Sequence, residues 1–214
     1  MAAATAAATA AVCGVARARP GWAQTALSPE AALQQLIDGN RRFAEGRLNS
    51  FNEDLDILKS KTVDKQEPFA AVLSCADSRV PVELIFDQSI GHVFVTRVAG
   101  NIATSAIIGS LEYGVAVLGT KAIVVLGHAN CGAVKASIEA KAVPGQISAL
   151  YPYIRPAVDQ AGSNLEAAIK ANAKIQAGLL RQSSPVLADY IKKDQLKIVA
   201  GYYDLSSGNV TLLD

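Results

Sequence analysis

Ala122-Ile123-Val124-Val125-Leu126-Gly127 runs directly into His128-Ala129-Asn130-Cys131-Gly132. The first six residues are apolar, with three β-branched side chains in succession, the composition of a strand buried on both faces. Gly127 closes the run, and Cys131 opens the next helical pattern. Working outward, residues 69–74 form a second apolar run with Cys75 at its C-terminal end, and residues 93–97 a third. A fourth spans residues 196–202. Residues 209–213 follow the turn Ser206-Ser207-Gly208, which predicts an antiparallel pairing at a sheet edge. Helical signals separate these runs. Ser28-Pro29-Glu30 is a helix start, with a capping serine, proline in the first turn and an acid behind it. Leu33, Leu36, Ile37 and Phe43 then recur at helical spacing as far as Gly46. Further helices are expected over 81–86, 103–118, 163–182 and 185–193, and a short amphipathic stretch near Leu55, Ile57 and Leu58. The alternation predicts an α/β fold: a mostly parallel central β-sheet of four strands plus an antiparallel edge strand, flanked by helices, with an N-terminal helical arm. Ligands in such sheets sit beyond the C-terminal strand ends, where Cys75 and His128 fall.

Composition narrows the function classes. The chain has 214 residues and a formal net charge of +1. That length suits one domain over 24–214 with enough apolar content for a full core. The absence of long Lys or Arg runs argues against nucleic acid as a partner. Sparse charge and abundant alanine suit a tightly packed domain or an oligomer with buried faces. The three cysteines are Cys13, Cys75 and Cys131, an odd number that frames no disulfide set. Residues 1–23 are Ala-rich, and Gly21-Trp22-Ala23 resembles a small-x-small cleavage site, although the basic start of a secretory signal is missing. Three readings of this leader stand: a remnant of an export signal, an organelle-type leader, or an ordinary Ala-rich helix. The first places the protein in a bacterial periplasm; otherwise it is cytoplasmic. No membrane span is expected beyond the leader, and no internal repeat is present.

Two cysteines and a histidine form a set of ligands suited to Zn²⁺. A His-x-x-Cys spacing lets one turn present two ligands to one ion, and Cys75 can join them from an adjacent strand end. Three protein ligands leave a fourth position free for a reactive water. The plainer alternative is two buried, inert cysteines, but placement of all three residues at strand ends favours the metal. Asp77 and Arg79 follow Cys75 closely. An Arg can grip a carboxylate in a two-point fork, and the ionised Asp can then orient a water on the metal. Asp77 could instead ligate the zinc and close the fourth position, and a surface salt bridge of little consequence is the third option.

Cys75-Ala76-Asp77-Ser78-Arg79, followed some fifty residues later by His128-Ala129-Asn130-Cys131-Gly132, resembles the β-class carbonic anhydrases. The resemblance runs from about Ala31 to the C-terminus. It implies a zinc lyase with one Zn²⁺ per chain, hydrating carbon dioxide reversibly to bicarbonate and a proton. It implies further that Cys75, His128 and Cys131 hold the metal and that the Asp77–Arg79 dyad orients a zinc-bound hydroxide. Gln66, Phe94, Ala99, Tyr113 and Gly132 match substrate-side positions of the family, some of them contributed by a neighbouring subunit. The resemblance also implies a homodimer or a higher multiple, with the helix at 31–43 laid over the partner. Val72 stands where allosteric, closed-site members have Trp, so the chain looks like the open-site type.

Carbon dioxide is small, apolar and uncharged, and the chain offers Val, Ala, Phe and Tyr near the motifs. It has no phosphate-binding glycine loop: Gly91, Gly100, Gly109 and Gly114 do not match one and read as turn and packing glycines. His92, the only other histidine, is expected at the far end of its strand, away from the metal. Two alternatives share the ligand motif: a hydrolase of carbonyl sulfide or carbon disulfide, and an inactive zinc-binding relative.

Overall fold

The computed structural model describes residues 25–50, 60 and 62–213. Cys13, the leader at 1–23 and the stretch around Leu55 lie outside the described residues. In chain order the elements are α1 (Pro29–Ala44), β1 (Ala70–Ser74), α2 (Val82–Ile85), β2 (Val93–Arg97), α3 (Ser105–Ala116), β3 (Ala122–His128), α4 (Gly132–Glu139), a 3-10 turn (Ile147–Leu150), α5 (Tyr151–Ala161), α6 (Leu165–Ser183), α7 (Pro185–Lys192), β4 (Lys197–Tyr203) and β5 (Val210–Leu212).

The strands lie in the order β2-β1-β3-β4-β5. The first four are parallel, and β5 pairs antiparallel with β4. All seven residues of β3 are buried, as its unbroken apolar sequence requires. Alternate side chains serve opposite faces. Val72, Val124 and Leu126 meet Leu33, Leu36 and Phe86 from α1 and the α2 region. Leu73, Ile123 and Val125 meet Leu111, Val115, Ala173, Ala177 and Leu180 from α3 and α6. A third cluster of Ile102, Val134, Ile154 and Ile169 gathers around Cys75 and Cys131.

Helix α1 begins as its sequence dictates. The Ser28 hydroxyl accepts from the Ala31 N–H at 3.2 Å, and Pro29 opens the first turn. Leu33 and Leu36 of its apolar stripe pack into the chain's own core, with Phe43 against it. The approach is close at Gly39, where a Cβ would overlap the Phe86 carbonyl oxygen. Gly39→Ala is therefore expected to cost about 1–3 kcal/mol of stability, seen as a lower denaturation midpoint. A wild-type midpoint would mean that α1 does not sit this close. Asn40, buried beneath the helix, donates to the carbonyls of Ile85 at 3.2 Å and Gly208 at 2.9 Å. Its side-chain oxygen accepts from the Val210 N–H at 2.8 Å.

One element departs from the sequence reading. Residues 151–161 form a helix that the pattern did not suggest, with Pro152 in its first turn and Pro156 inside it. Proline there removes a hydrogen-bond donor, so helical propensity reads as broken. Packing of Ile154, Ala157 and Val158 into the interior decides the outcome. Among the described residues no helix is long and apolar enough to cross a membrane.

The topology also positions the chemistry. From β1 the chain passes to β2 on one side, then crosses over to β3 on the other. The order of the sheet thus reverses between β1 and β3, the crevice where open α/β sheets bind ligands. Ser74 at the end of β1 is level with Leu126. Cys75 and His128 consequently emerge into that crevice together.

Candidate metal centre

Three local structures bring the ligands to one point. Cys75 leaves the end of β1, and His128 is the last residue of β3, held level with Tyr203 of β4. The Ala129 N–H continues that pairing by donating to the Tyr203 carbonyl at 2.9 Å. Asn130 then turns the chain with a φ of 56°, a left-handed conformation that Asn tolerates better than most residues. The turn sets Cys131 at the N-cap of α4, where the positive end of the helix favours a thiolate.

The Cys75 and Cys131 sulfurs stand 4.0 Å apart. Two sulfurs on a tetrahedral zinc, each about 2.3 Å from it, stand about 3.8 Å apart. The imidazole Nδ1 of His128 lies 2.9 Å from the Ala129 carbonyl oxygen, so it carries the proton and leaves the Nε2 lone pair free. That Nε2 is buried without a hydrogen-bond partner. One ring nitrogen of His128 and the two sulfurs all lie within 4.8 Å of one another. A buried, unsatisfied lone pair aimed at two thiols is costly unless a cation takes it up. The three residues fit zinc.

The thiols are pushed in opposite directions. Contact with Cys131, supported by His128 and the Gly100 N–H, lowers the pKa of Cys75 well below the ordinary thiol range against the opposing effect of burial. Sharing with Cys75 and burial raise that of Cys131. Zinc takes thiolates, so its binding releases protons from the pair.

Asp77 lies beside the ligands, its Oδ2 3.8 Å from His128 Nε2. Arg79 grips both of its oxygens: Nε donates to Oδ1 at 2.9 Å and Nη2 to Oδ2 at 2.8 Å, while the Arg79 backbone N–H adds a third bond at 3.0 Å. The guanidinium therefore holds the Asp77 carboxyl far below the usual carboxylate range. Arg79 Nη2 also donates to the Asn130 carbonyl at 3.3 Å, tying the two motifs to each other.

The remaining sequence candidates divide. Ala99 adjoins Gly100 in the loop after β2, and Gly132 is the exposed first residue of α4. Gln66 is exposed in the segment before β1, at the end of the sheet opposite to Cys75. Phe94 is level with Ala71, four residues before Cys75, or about 13 Å along the strand. Its ring contacts that of Tyr113 at 6.4 Å between centroids, and Tyr113 is 48% exposed. These three do not join the ligands of their own chain. His92 is exposed at the far end of β2, as expected.

Two contributors escaped the sequence reading. Arg97 clamps the ligand loop by donating from Nε to the Cys75 carbonyl at 3.0 Å and from Nη2 to the Asp77 carbonyl at 2.6 Å. The signal was available, because Arg97 ends a strand parallel to β1 and level with Ser74. The second is the Gly100 N–H, which donates to Cys75 Sγ at 3.3 Å.

The sequence model of the carbonic anhydrase family matches residues 70–210. The fold is that of a solved β-carbonic anhydrase from Coccomyxa in complex with acetazolamide, 28% identical, with a TM-score of 0.66 over 85% of this chain and 86% of the other. The chain belongs to the β-class carbonic anhydrase family. Carbonic anhydrase 2 of Mycobacterium tuberculosis is 34% identical over 201 residues, covering 87% of this chain and 94% of the relative. A structure described as one of two tetrameric β-carbonic anhydrases from Sordaria macrospora, 22% identical, shares the fold with a TM-score of 0.68 over 85% of this chain and 96% of the other. This carbonic anhydrase is accordingly a zinc lyase acting on carbon dioxide.

Proposed function

We propose that Cys75, His128 and Cys131 hold the zinc and that Asp77, fixed by Arg79, orients the water that attacks carbon dioxide. The observation that carries this reading is the two-point grip of Arg79 on Asp77 beside the free Nε2 of His128. When bound, zinc makes water ionisable near neutral pH. The two thiolates neutralise the ion's charge, which leaves room for help from neighbouring groups.

Asp77 supplies that help as a fixed acceptor. Its carboxylate takes a hydrogen bond from the attacking water and turns the oxygen lone pair towards substrate. Arg79 occupies both carboxylate oxygens, which keeps Asp77 ionised and disfavours its moving onto the metal. Carbon dioxide brings no charge and needs only an apolar wall with a few donors. Ala99 and Gly132 line the near side of that wall.

Gln66, Phe94 and Tyr113 complete it from a second copy of the chain, which makes the working unit a homodimer or a higher multiple. In support, Phe94 lies on an edge strand of the sheet and pairs with a half-exposed Tyr113. The Sordaria macrospora relatives are described as tetrameric.

The test is stopped-flow hydration of carbon dioxide with a pH indicator, comparing wild type with Arg79→Lys. Lysine keeps the charge but loses the fork. Hydration is expected to fall at least about tenfold, less than the roughly 100-fold or more that loss of an acid–base group costs, with zinc content unchanged. Equal rates would overturn the role of the fork, and a zinc-loaded wild type without hydration would overturn the whole reading.

A further inference from the structure

Two amide side chains lie in the apolar face of α6. Asn172 and Gln176 are one helical turn apart, with relative exposures of 0% and 1%. Their neighbours on that face are Ala168, Ile169, Ala173, Ala177 and Leu180. Amides in such a stripe are destabilising unless every polar atom is satisfied. Here the four atoms all have partners. Asn172 Nδ2 donates to the Gly100 carbonyl at 2.8 Å, and its Oδ1 accepts from Gln176 Nε2 at 3.2 Å. Gln176 Nε2 also donates to the Tyr153 carbonyl at 3.0 Å, and its Oε1 accepts from the Ala103 N–H at 2.8 Å. The pair thus grips both ends of the segment 100–103.

That segment carries a backbone donor aimed at a metal-ligand sulfur, the Gly100 N–H. Gly100 has a φ of +78°, and a Cβ there would lie 2.8 Å from Ile154 Cδ1 and 3.3 Å from Ala133 Cβ. Glycine is required for the close approach, but glycine alone does not hold a conformation, because its backbone has the widest freedom of any residue. Something outside the loop has to fix it. Asn172 holds the Gly100 carbonyl on one side, while the Gly100 N–H reaches Cys75 Sγ on the other.

We infer that Asn172 and Gln176 are positioning residues for the zinc ligand Cys75, acting through the Gly100 N–H···S hydrogen bond. The inference rests on the assignment of Cys75 as a ligand. A hydrogen bond to a thiolate withdraws electron density from sulfur and fixes its rotamer. Both effects act on the metal: the sulfur donates less charge, and it stays where the ion needs it. Partners of this outer kind are typically worth 10–100-fold in metal affinity. A purely structural pair would stabilise the fold and leave the metal unaffected.

The experiment uses the full chain, zinc-loaded, as wild type, Asn172→Asp, Asn172→Ser and Leu187→Ala. Asn172→Asp keeps the shape but replaces the donor facing the Gly100 carbonyl with an acceptor. Asn172→Ser is the gentler change, should the first variant fail to fold. Leu187 is fully buried in α7 and has no hydrogen bond to the loop, so Leu187→Ala loosens the protein without touching the amide pair. The readouts are the rate of zinc release to a chromogenic chelator, the sulfur-to-metal charge-transfer band after cobalt substitution, and the thermal midpoint. Both Asn172 variants are expected to release zinc about tenfold faster and to shift the charge-transfer band to lower energy. Leu187→Ala is expected to lower the midpoint with wild-type release and band. Wild-type release and band in Asn172→Ser would overturn the proposal. So would equal acceleration in Leu187→Ala. A wild-type protein that binds no zinc would instead overturn the ligand assignment itself.

Discussion

A His128→Ala protein is expected to lose zinc and carbon dioxide hydration together. The imidazole is the one neutral ligand, and its Nε2 is among the buried atoms left without a hydrogen-bond partner. Its removal leaves only two sulfurs, 4.0 Å apart, to hold the ion, and metal binding still has to displace protons from them. Affinity should fall by far more than the roughly 10–100-fold that outer partners contribute. Hydration should drop to the uncatalysed rate at micromolar zinc. The ring is fully buried, so a cavity also forms and the thermal midpoint should fall. Circular dichroism separates the two effects, because a folded variant without zinc isolates the ligand's role. Retention of stoichiometric zinc with wild-type hydration would show that the metal sits elsewhere.

Asp77→Asn is the second large effect, and it differs in kind. Zinc should stay, because Asp77 is not among the three clustered ligands. The rate should fall by about 100-fold or more, the usual loss when a fixed acid–base or orienting group is removed. Asparagine keeps the volume but is neutral, so Arg79 loses its ionic partner. The amide can also turn a donor towards the attacking water, where the carboxylate offered only acceptors. In the wild type, Arg79 depresses the Asp77 pKa, so the group is ionised at every pH above that depressed value. No Asp77 titration should appear in the neutral part of the rate profile. The variant should therefore keep the profile's shape and lose its height. A zinc-loaded variant within twofold of wild type would remove Asp77 from the proposed mechanism.

The parts of the fold that could be read beforehand are those where local pattern and tertiary packing agree. The 122–127 run is apolar because both faces of β3 are covered, and the same holds for β1, so strand and burial carried one signal. The N-terminal boundary of α1 was legible in Ser28-Pro29 because the cap is a local hydrogen bond. The helix over 151–161 was not, because its prolines argue against it and only Ile154 and its neighbours, buried in a remote cluster, argue for it. Within the site, Cys75, His128 and Cys131 were legible because ligand chemistry is specific to residue type. Asn172 and Gln176 were not, since buried amides and solvated ones look alike until the carbonyls they satisfy are placed beside them. The placement of Gln66, Phe94 and Tyr113 away from their own metal ligands depends on strand direction, which no local pattern encodes.

Asn40 joins the first helix to the last strand across 170 residues of sequence, through its bond to the Val210 N–H. The described fold is in this sense a closed ring. Neither end can peel away alone: for β5 to detach, α1 must give up its contacts with Gly208 and Val210. Because β5 borders β4, and β4 in turn supports His128, fraying that would begin at the C-terminus of an open sheet is held back before it reaches the metal ligands. The described fold is laced shut at the seam where α1 meets β5.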